Sequence, residues 1–390
     1  MEAENSLIPS RLHDLLGRAR EIARTVVAEN AEREDREASW PAPAMSALAD
    51  AGLMGLNAPT SAGGHGEGLL GLTAITEAIG RESGSTALCY AMHCVGTAVI
   101  AAKATEYQTQ TYLEPIARGE HITTLALSEP GTGMHFYIPQ TRLTAQGDEY
   151  VLDGTKSFIT SGGHCDSYVV SAASVEQPSS DGAFSCVMMD ADTPRLEWLD
   201  EWHGLGMRAN SSRTLKLDEV PVPRRNLLGA EGDQLWYVFE VIAPYFLMAM
   251  AATYLGVAQA AFDIALAHAG TRRFAHTGEL LGADPVVSHR LGTMWSELER
   301  TRHLIYSAAT RADAGDPGAL VPVFASKAAA GDTSVLLTNE AMTICGGTAY
   351  RENSRLAQLL RDARASHVMA PTTDLLKTWA GRALVKLPLV

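Results

Sequence analysis

Two short stretches carry the residue types best suited to holding a flat, anionic or carbonyl-bearing ligand. The first is SEPGTG (128–133), a glycine-rich loop too long for a tight hairpin. Its glycines let backbone N–H groups approach a ligand closely. The second is KSFITSGG (156–163), which offers an aromatic, a hydroxyl and two more glycines. Either alone reads as an ordinary turn; the two in succession are more specific. The histidines near these stretches are weak candidates for a base. His93, in YAMHC (90–94), reads first as a packed or hydrogen-bonded imidazole. At His135, beside the glycine loop, structural and functional roles stand level, and His367 reads as a neighbour of the site.

The elements that must position these groups change along the chain. Between 123 and 172 the sequence alternates strand formers with turn signals, Gly147-Asp148 and Asp153-Gly154 among them. Strand character continues through 183–189 and 214–217 and closes at VPVPRRNLLG (220–229). Before this stretch, helical spacing appears at Leu12, Leu15, Leu16, Ile22, Ala23 and Val26, with a boundary at Trp40-Pro41. Further helices are expected over 71–80, 85–102 and 106–119, and from Gln234 the pattern is helical again. The fold class is therefore α+β, with a helical domain over 1–122, a strand-rich, β-barrel-like domain over 123–232 and a helical bundle over 233–390.

The 390 residues are 46% hydrophobic and carry a net charge of −14. A large core is expected, and without basic runs neither nucleic acid nor an anionic membrane is an expected partner. Cys89, Cys94, Cys165, Cys186 and Cys345 are scattered and odd in number, which suits reduced thiols in the cytoplasm and no metal site. Residues 1–16 show no apolar signal region. The uncharged stretch 241–262 is the one membrane candidate; Pro244, two tyrosines and Gln259 favour a buried bundle helix.

The motifs together resemble the acyl-CoA dehydrogenase flavoproteins over nearly the whole chain. The family's TEP-x-x-G-S-D stands here as SEPGTGMH (128–135), and its GD-x-Y-x-L-x-G-x-K-x-F-I-T-N-G as GDEYVLDGTKSFITSG (147–162). GLGMRANSSR (204–213), DEVPVP (218–223) and NLLGAEG (226–232) match later motifs. The resemblance implies bound FAD, with Leu127, Ser128, Gly133 and Met134 lining the flavin ring and Phe158, Ile159 and Thr160 on its other side. Arg273, Thr343, Gly346 and Gly347 would receive the adenine dinucleotide tail of a neighbouring subunit, which implies a homotetramer. A small-molecule or carrier-bound acyl substrate would lie near Tyr90, Cys94, Phe246 and Met250. Electron-transfer flavoprotein or oxygen would take the electrons.

One position departs from the pattern. After Arg361-Asp362 the family reads A-K-x-x-x-I-Y-E-G-T, whose glutamate removes the proton α to the thioester. Here ARASHVMAPT (363–372) puts Ala370 on that glutamate. The helix that supplies the base in some relatives reads PYFLMAMAAT (244–253), also without a carboxylate. The resemblance thus implies dehydrogenation of an acyl thioester or related carbonyl with a non-standard base. A flavin-dependent monooxygenase and a degenerate flavin-binding subunit remain open alternatives. Pro371 suits the first position of a final helix; that helix's N-terminus, with Thr372 and Asp374, would face developing negative charge at the flavin edge.

Overall fold

The computed structural model describes residues 7–175 and 184–389, so Ala183, expected to open a strand, lies outside them. A helical run passes through Ser10–Leu12, His13–Ile22, Ala23–Val27 and Ala28–Glu37. It stops at Ala38, whose φ of 51° turns the chain before Trp40. The Ala23–Val27 segment is a π turn. Its wider winding slips the phase of the apolar stripe, so Val27 and not Val26 is buried. Ala42–Asp50, Leu69–Gly80 and Gly84–Ala102 follow, the last opened by Ser83, which accepts from the Thr86 N–H at 3.2 Å.

Eight strands come next: β1 (Thr123–Ala126), β2 (Arg142–Gln146), β3 (Glu149–Ile159), β4 (Ser167–Ser174), β5 (Phe184–Asp190), β6 (Leu196–Trp198), β7 (Arg213–Pro223) and β8 (Leu227–Leu228). Their order is β6-β7-β3-β2-β4-β5-β8, with β1 parallel to β4. Among the described residues the end strands β6 and β8 of this domain, expected to be β-barrel-like, do not pair with each other. Gly147-Asp148 turns the β2–β3 hairpin as expected, with Gln146 opposite Glu149. Asp153-Gly154 does not turn. It lies inside β3 at a register shift against β7, where a Cβ on Gly154 would sit 2.8 Å from the Thr141 Cα. The residue is glycine because two backbones meet there. Val220–Pro–Val–Pro forms the last four residues of β7, and after β8 the strand-rich stretch closes within 220–229 as expected.

The sheet's two faces serve different cores, at the two-residue period of a strand. Tyr168, Val170, Val187 and Met189 join Leu152, Leu215 and Val220 on one face. Val169, Cys186 and Met188 on the other face pack into the helical core. The C-terminal helices are Ala243–Thr271, Pro285–Asp313, Leu320–Cys345, Arg355–Val368 and a short Thr373–Leu384. By length and apolarity three helices among the described residues match a membrane span where one was expected: Gly84–Ala102, Gln234–Thr271 and Pro317–Thr348. The protein covers 89% and 83% of the apolar windows of the first two, the burial of central helices. The third is 56% covered and keeps an open face.

Candidate active site

A cavity of about 630 Å³ opens where the three regions meet. One wall is the Ser128–Gly133 loop with Leu125 and Leu127. A second is β3 with Phe158 and Thr160, and a third is Gly206, Met207, Asn210 and Ser212 before β7. Helices supply the rest: Leu88 and Met92, Ile242, Ala243 and Phe246, and the turn Met369–Ala370–Pro371–Thr372.

The glycine loop is held from behind by a buried ion pair. Lys156 Nζ donates to Glu129 Oε1 at 2.6 Å and to the Ser171 carbonyl at 2.5 Å, and both side chains are sealed from solvent. Glu129 also accepts from the backbone N–H groups of Gln140 and Thr141 at 2.6 and 3.0 Å. Burial raises the Glu129 pKa, but the Lys156 charge and these hydrogen bonds outweigh it, so the carboxyl is held below its usual value. Ser157 N–H to Ser128 O, at 2.8 Å, joins loop and strand directly. The spacing between the two sequence motifs is therefore the spacing of one salt bridge. Sequence reasoning used the glycines and passed over Glu129 and Lys156; the available signal was one charge of each sign in two stretches, 128–133 and 156–163, that are otherwise uncharged.

The other walls are tied down as firmly. Phe158 has φ 55° and is 67% exposed, its ring edge-on to Trp202 at 6.4 Å. Such an aromatic is left bare by the chain itself, beside Thr160. Asp362 Oδ1 accepts from the Met207 N–H at 2.6 Å, while Arg361 grips Asp35 and donates to Leu205 O at 3.0 Å. Burial pushes the Asp362 carboxyl up to about 6. This Arg-Asp pair thus joins the last helices, the first helices and the loop before β7.

Several expected site residues are elsewhere. Tyr90 and Cys94 are buried away from the cavity, Tyr90 bonding Leu53 O at 2.9 Å; Leu88 and Met92 face it in their place. The helix is the expected one and its phase differs by two residues, which a 3.6-residue period turns to the far side. Met250 is likewise buried in the core, one turn beyond Phe246, which does line the cavity. Ile159 points into the sheet core, because neighbours on a strand face opposite ways. His93 is fully buried, accepting from the Thr123 N–H at 3.2 Å and bonding Met54 O at 2.9 Å. Burial brings its pKa down to about 4, so it is a neutral structural imidazole. His135 is exposed and bonds the Tyr137 hydroxyl at 3.0 Å, outside the cavity. His367 faces Asp332 at 3.3 Å. Leu127, Ser128, Gly133, Met134, Phe158, Thr160, Ala370 and Thr372 do line the cavity.

The final helix begins at Thr373 and not at Pro371: Thr372 is its cap, with a hydroxyl that accepts from the Leu375 N–H, and Pro371 precedes the cap. Asp374 is an exposed first-turn acid and does not reach the cavity. Arg273, in the connection after Ala243–Thr271, and Thr343, Gly346 and Gly347, at the end of Leu320–Cys345 and just beyond it, are exposed and not at this cavity; Arg273 bonds Gly278 O at 2.8 Å.

The residues present suit a flavin. Gly131 and Gly133 leave open space, since a Cβ on either would meet no atom within 4 Å. With the bare Phe158 ring and the hydroxyls of Ser128, Thr160 and Ser212, they surround room for a flat ring system and a compact acyl group. Ser128, Thr160, Phe158 and the loop backbone would hold it. Among the residues lining the cavity only Glu129 is ionisable, and it is committed to Lys156. Ala370 and Phe246 face a space where the described residues supply no free carboxylate or imidazole.

Models of the acyl-CoA dehydrogenase N-terminal, middle and C-terminal domains match residues 11–120, 124–220 and 245–385. Cyclohex-1-ene-1-carbonyl-CoA dehydrogenase of Geobacter metallireducens is 30% identical over 95% of this chain and 97% of its own. Butyryl-CoA dehydrogenase of Megasphaera elsdenii superposes with a TM-score of 0.92, 25% identical, covering 97% of this chain and 99% of that one. The prolyl acyl carrier protein oxidase AnaB shares the fold at a TM-score of 0.89 and 22% identity, covering 97% and 99% of the two chains. These matches favour the dehydrogenase reading over a monooxygenase or a degenerate subunit. Three domain models in order, over a cavity shaped for a flavin and an acyl group, make this chain a member of the acyl-CoA dehydrogenase family, an FAD-dependent oxidoreductase.

Proposed function

We propose that the protein dehydrogenates a compact, apolar acyl thioester whose α-proton is already acidic, with no carboxylate base of its own. Bound FAD supplies the two-electron acceptor. The observation that carries the reading is the cavity lining, where Ala370 and Phe246 stand and the single carboxylate, Glu129, is held by Lys156 and two backbone N–H groups. A carboxylate so held is a poor general base. The proton then passes to water or to the substrate itself, which favours acyl groups conjugated or activated beyond the α-carbon.

Phe246, Ile242 and Met92 make the cavity apolar, favouring a carrier-bound or otherwise compact thioester over free coenzyme A. Electron-transfer flavoprotein is the proposed acceptor, with oxygen as the alternative. The open face of Pro317–Thr348, with Thr343, Gly346 and Gly347 exposed, supports a homotetramer in which these residues and Arg273 hold a neighbour's FAD tail. Free, buried cysteines accord with a cytoplasmic protein.

The test is anaerobic flavin bleaching by N-acetylcysteamine and coenzyme A thioesters. Conjugated or β-activated acyl groups on the small carrier should bleach the flavin fastest. Rapid bleaching by saturated straight-chain coenzyme A esters alone refutes the proposal.

A further inference from the structure

The turn that carries Ala370 is gripped from behind by one side chain. Lys327, in the Leu320–Cys345 helix, is fully buried and donates to three backbone carbonyls: Ser366 O at 3.2 Å, Met369 O at 2.9 Å and Pro371 O at 2.7 Å. Gly331, one turn further along the same face, lets the neighbouring helix come close; a Cβ there would sit 3.1 Å from Ser366 Oγ. Among the described residues no carboxylate pairs with Lys327. The nearest ionic cluster on that helix is Asp332, which holds His367 and Lys377 at 3.3 and 2.8 Å. Burial brings the Lys327 pKa down to about 7. A buried cation without a counter-charge is costly unless its surroundings use it.

Two of the three carbonyls belong to peptide units that open onto the cavity. Met369 C=O shares its amide with Ala370 N–H, and Pro371 C=O with Thr372 N–H. Ala370 and Thr372 both line the cavity, and neither N–H has a backbone partner among the described residues. An amide whose carbonyl accepts from a cation is a stronger donor through its N–H, because hydrogen bonds polarise one another in a low-dielectric interior.

We propose that Lys327 is a positioning residue that fixes and polarises the Ala370 and Thr372 amides, making them donors to an oxygen that gains negative charge in the cavity. Its Nζ lies behind the peptide wall and touches no substrate. The proposal rests on the dehydrogenase reading for the identity of that oxygen, a thioester carbonyl. It predicts that an acidic thioester will enolise more readily when bound than in water, and that Lys327 is the cause.

The probe is acetoacetyl-N-acetylcysteamine, titrated by its enolate absorbance on the FAD-loaded protein. In the wild type its enolisation pKa should lie below the free value. Lys327→Gln keeps a donor and drops the charge; it should raise the bound pKa by about one unit, a tenfold change worth about 1.4 kcal/mol. Lys327→Met should raise it further, and Lys327→Arg should restore part of the loss. The flavin midpoint potential of the same variants locates the oxygen. A shifted ligand pKa puts it on the substrate and supports the proposal; a shifted potential alone puts it on the cofactor and overturns the substrate assignment. If variants that still hold FAD change neither, the proposal is overturned. Should the variants fail to fold, isotope-edited infrared of the bound ligand's carbonyl in the wild type decides. The stretch should relax upward as pH rises through the Lys327 value of about 7, and a stretch that does not move overturns the proposal. None of these readouts requires turnover, so they can fail while the dehydrogenase reading stands.

Discussion

His93 shows how burial decides a residue's chemistry. Its imidazole titrates at 6.5 in the open chain and at about 4 in the fold. Between those values the unfolded state binds the extra proton. Stability is therefore complete above pH 6.5 and is lost as pH falls towards 4. A shift of this size corresponds to about 3 kcal/mol. Denaturant midpoints measured across that window should fall accordingly, and His93→Gln should be weaker at neutral pH but flatter; an unchanged slope contradicts the neutral imidazole. Lys156 is the opposite case, a charge kept inside because it is paired. Lys156→Met strands Glu129 in the core and should cost about 3–5 kcal/mol. It should also release FAD, seen as a lower flavin-to-protein absorbance ratio. A variant as stable and as yellow as the parent would show that the pair does not hold the loop.

At the scale of elements, the site is built from turns fixed at both ends. The Ala370 turn is bonded through Met369 and Pro371 carbonyls to Lys327, and Pro371 adds its own restricted backbone. A carboxylate placed there inherits a position set for alanine, across from Phe246. Ala370→Glu alone is expected to leave flavin reduction by a panel of acyl-CoAs slow, and fast complete bleaching would refute this. Strand β3 gives a second element-level test. Gly154→Val must push the Thr141 backbone away, at a cost of about 1–3 kcal/mol in urea unfolding. A neutral substitution would mean that the two backbones separate easily.

For the whole molecule, the expectation is a yellow oligomer. Three regions meet at one cavity, and Arg361, Asp362 and Asp35 tie them together. FAD binding should therefore stabilise all three at once. At a hundredfold excess over Kd, ligand adds about 2.7 kcal/mol to the folded state. Thermal melts of stripped protein with and without FAD, together with light scattering, check both halves. A colourless monomer that takes up no FAD sinks the expectation.

The sequence alone determined the order helix, sheet, helix, the glycine loop and its aromatic partner strand, and the loss of a carboxylate at Ala370. These are local facts: turn chemistry, periodicity and residue type are all written in consecutive letters. Tertiary structure alone decided which side of each element faces the cavity. One π turn moved burial from Val26 to Val27, and a two-residue difference in phase put Leu88 and Met92, not Tyr90 and Cys94, at the site. It alone paired Glu129 with Lys156 and set Lys327 behind Ala370. Those contacts join residues far apart in the chain, and their worth comes from exclusion of water, which no single stretch of sequence displays.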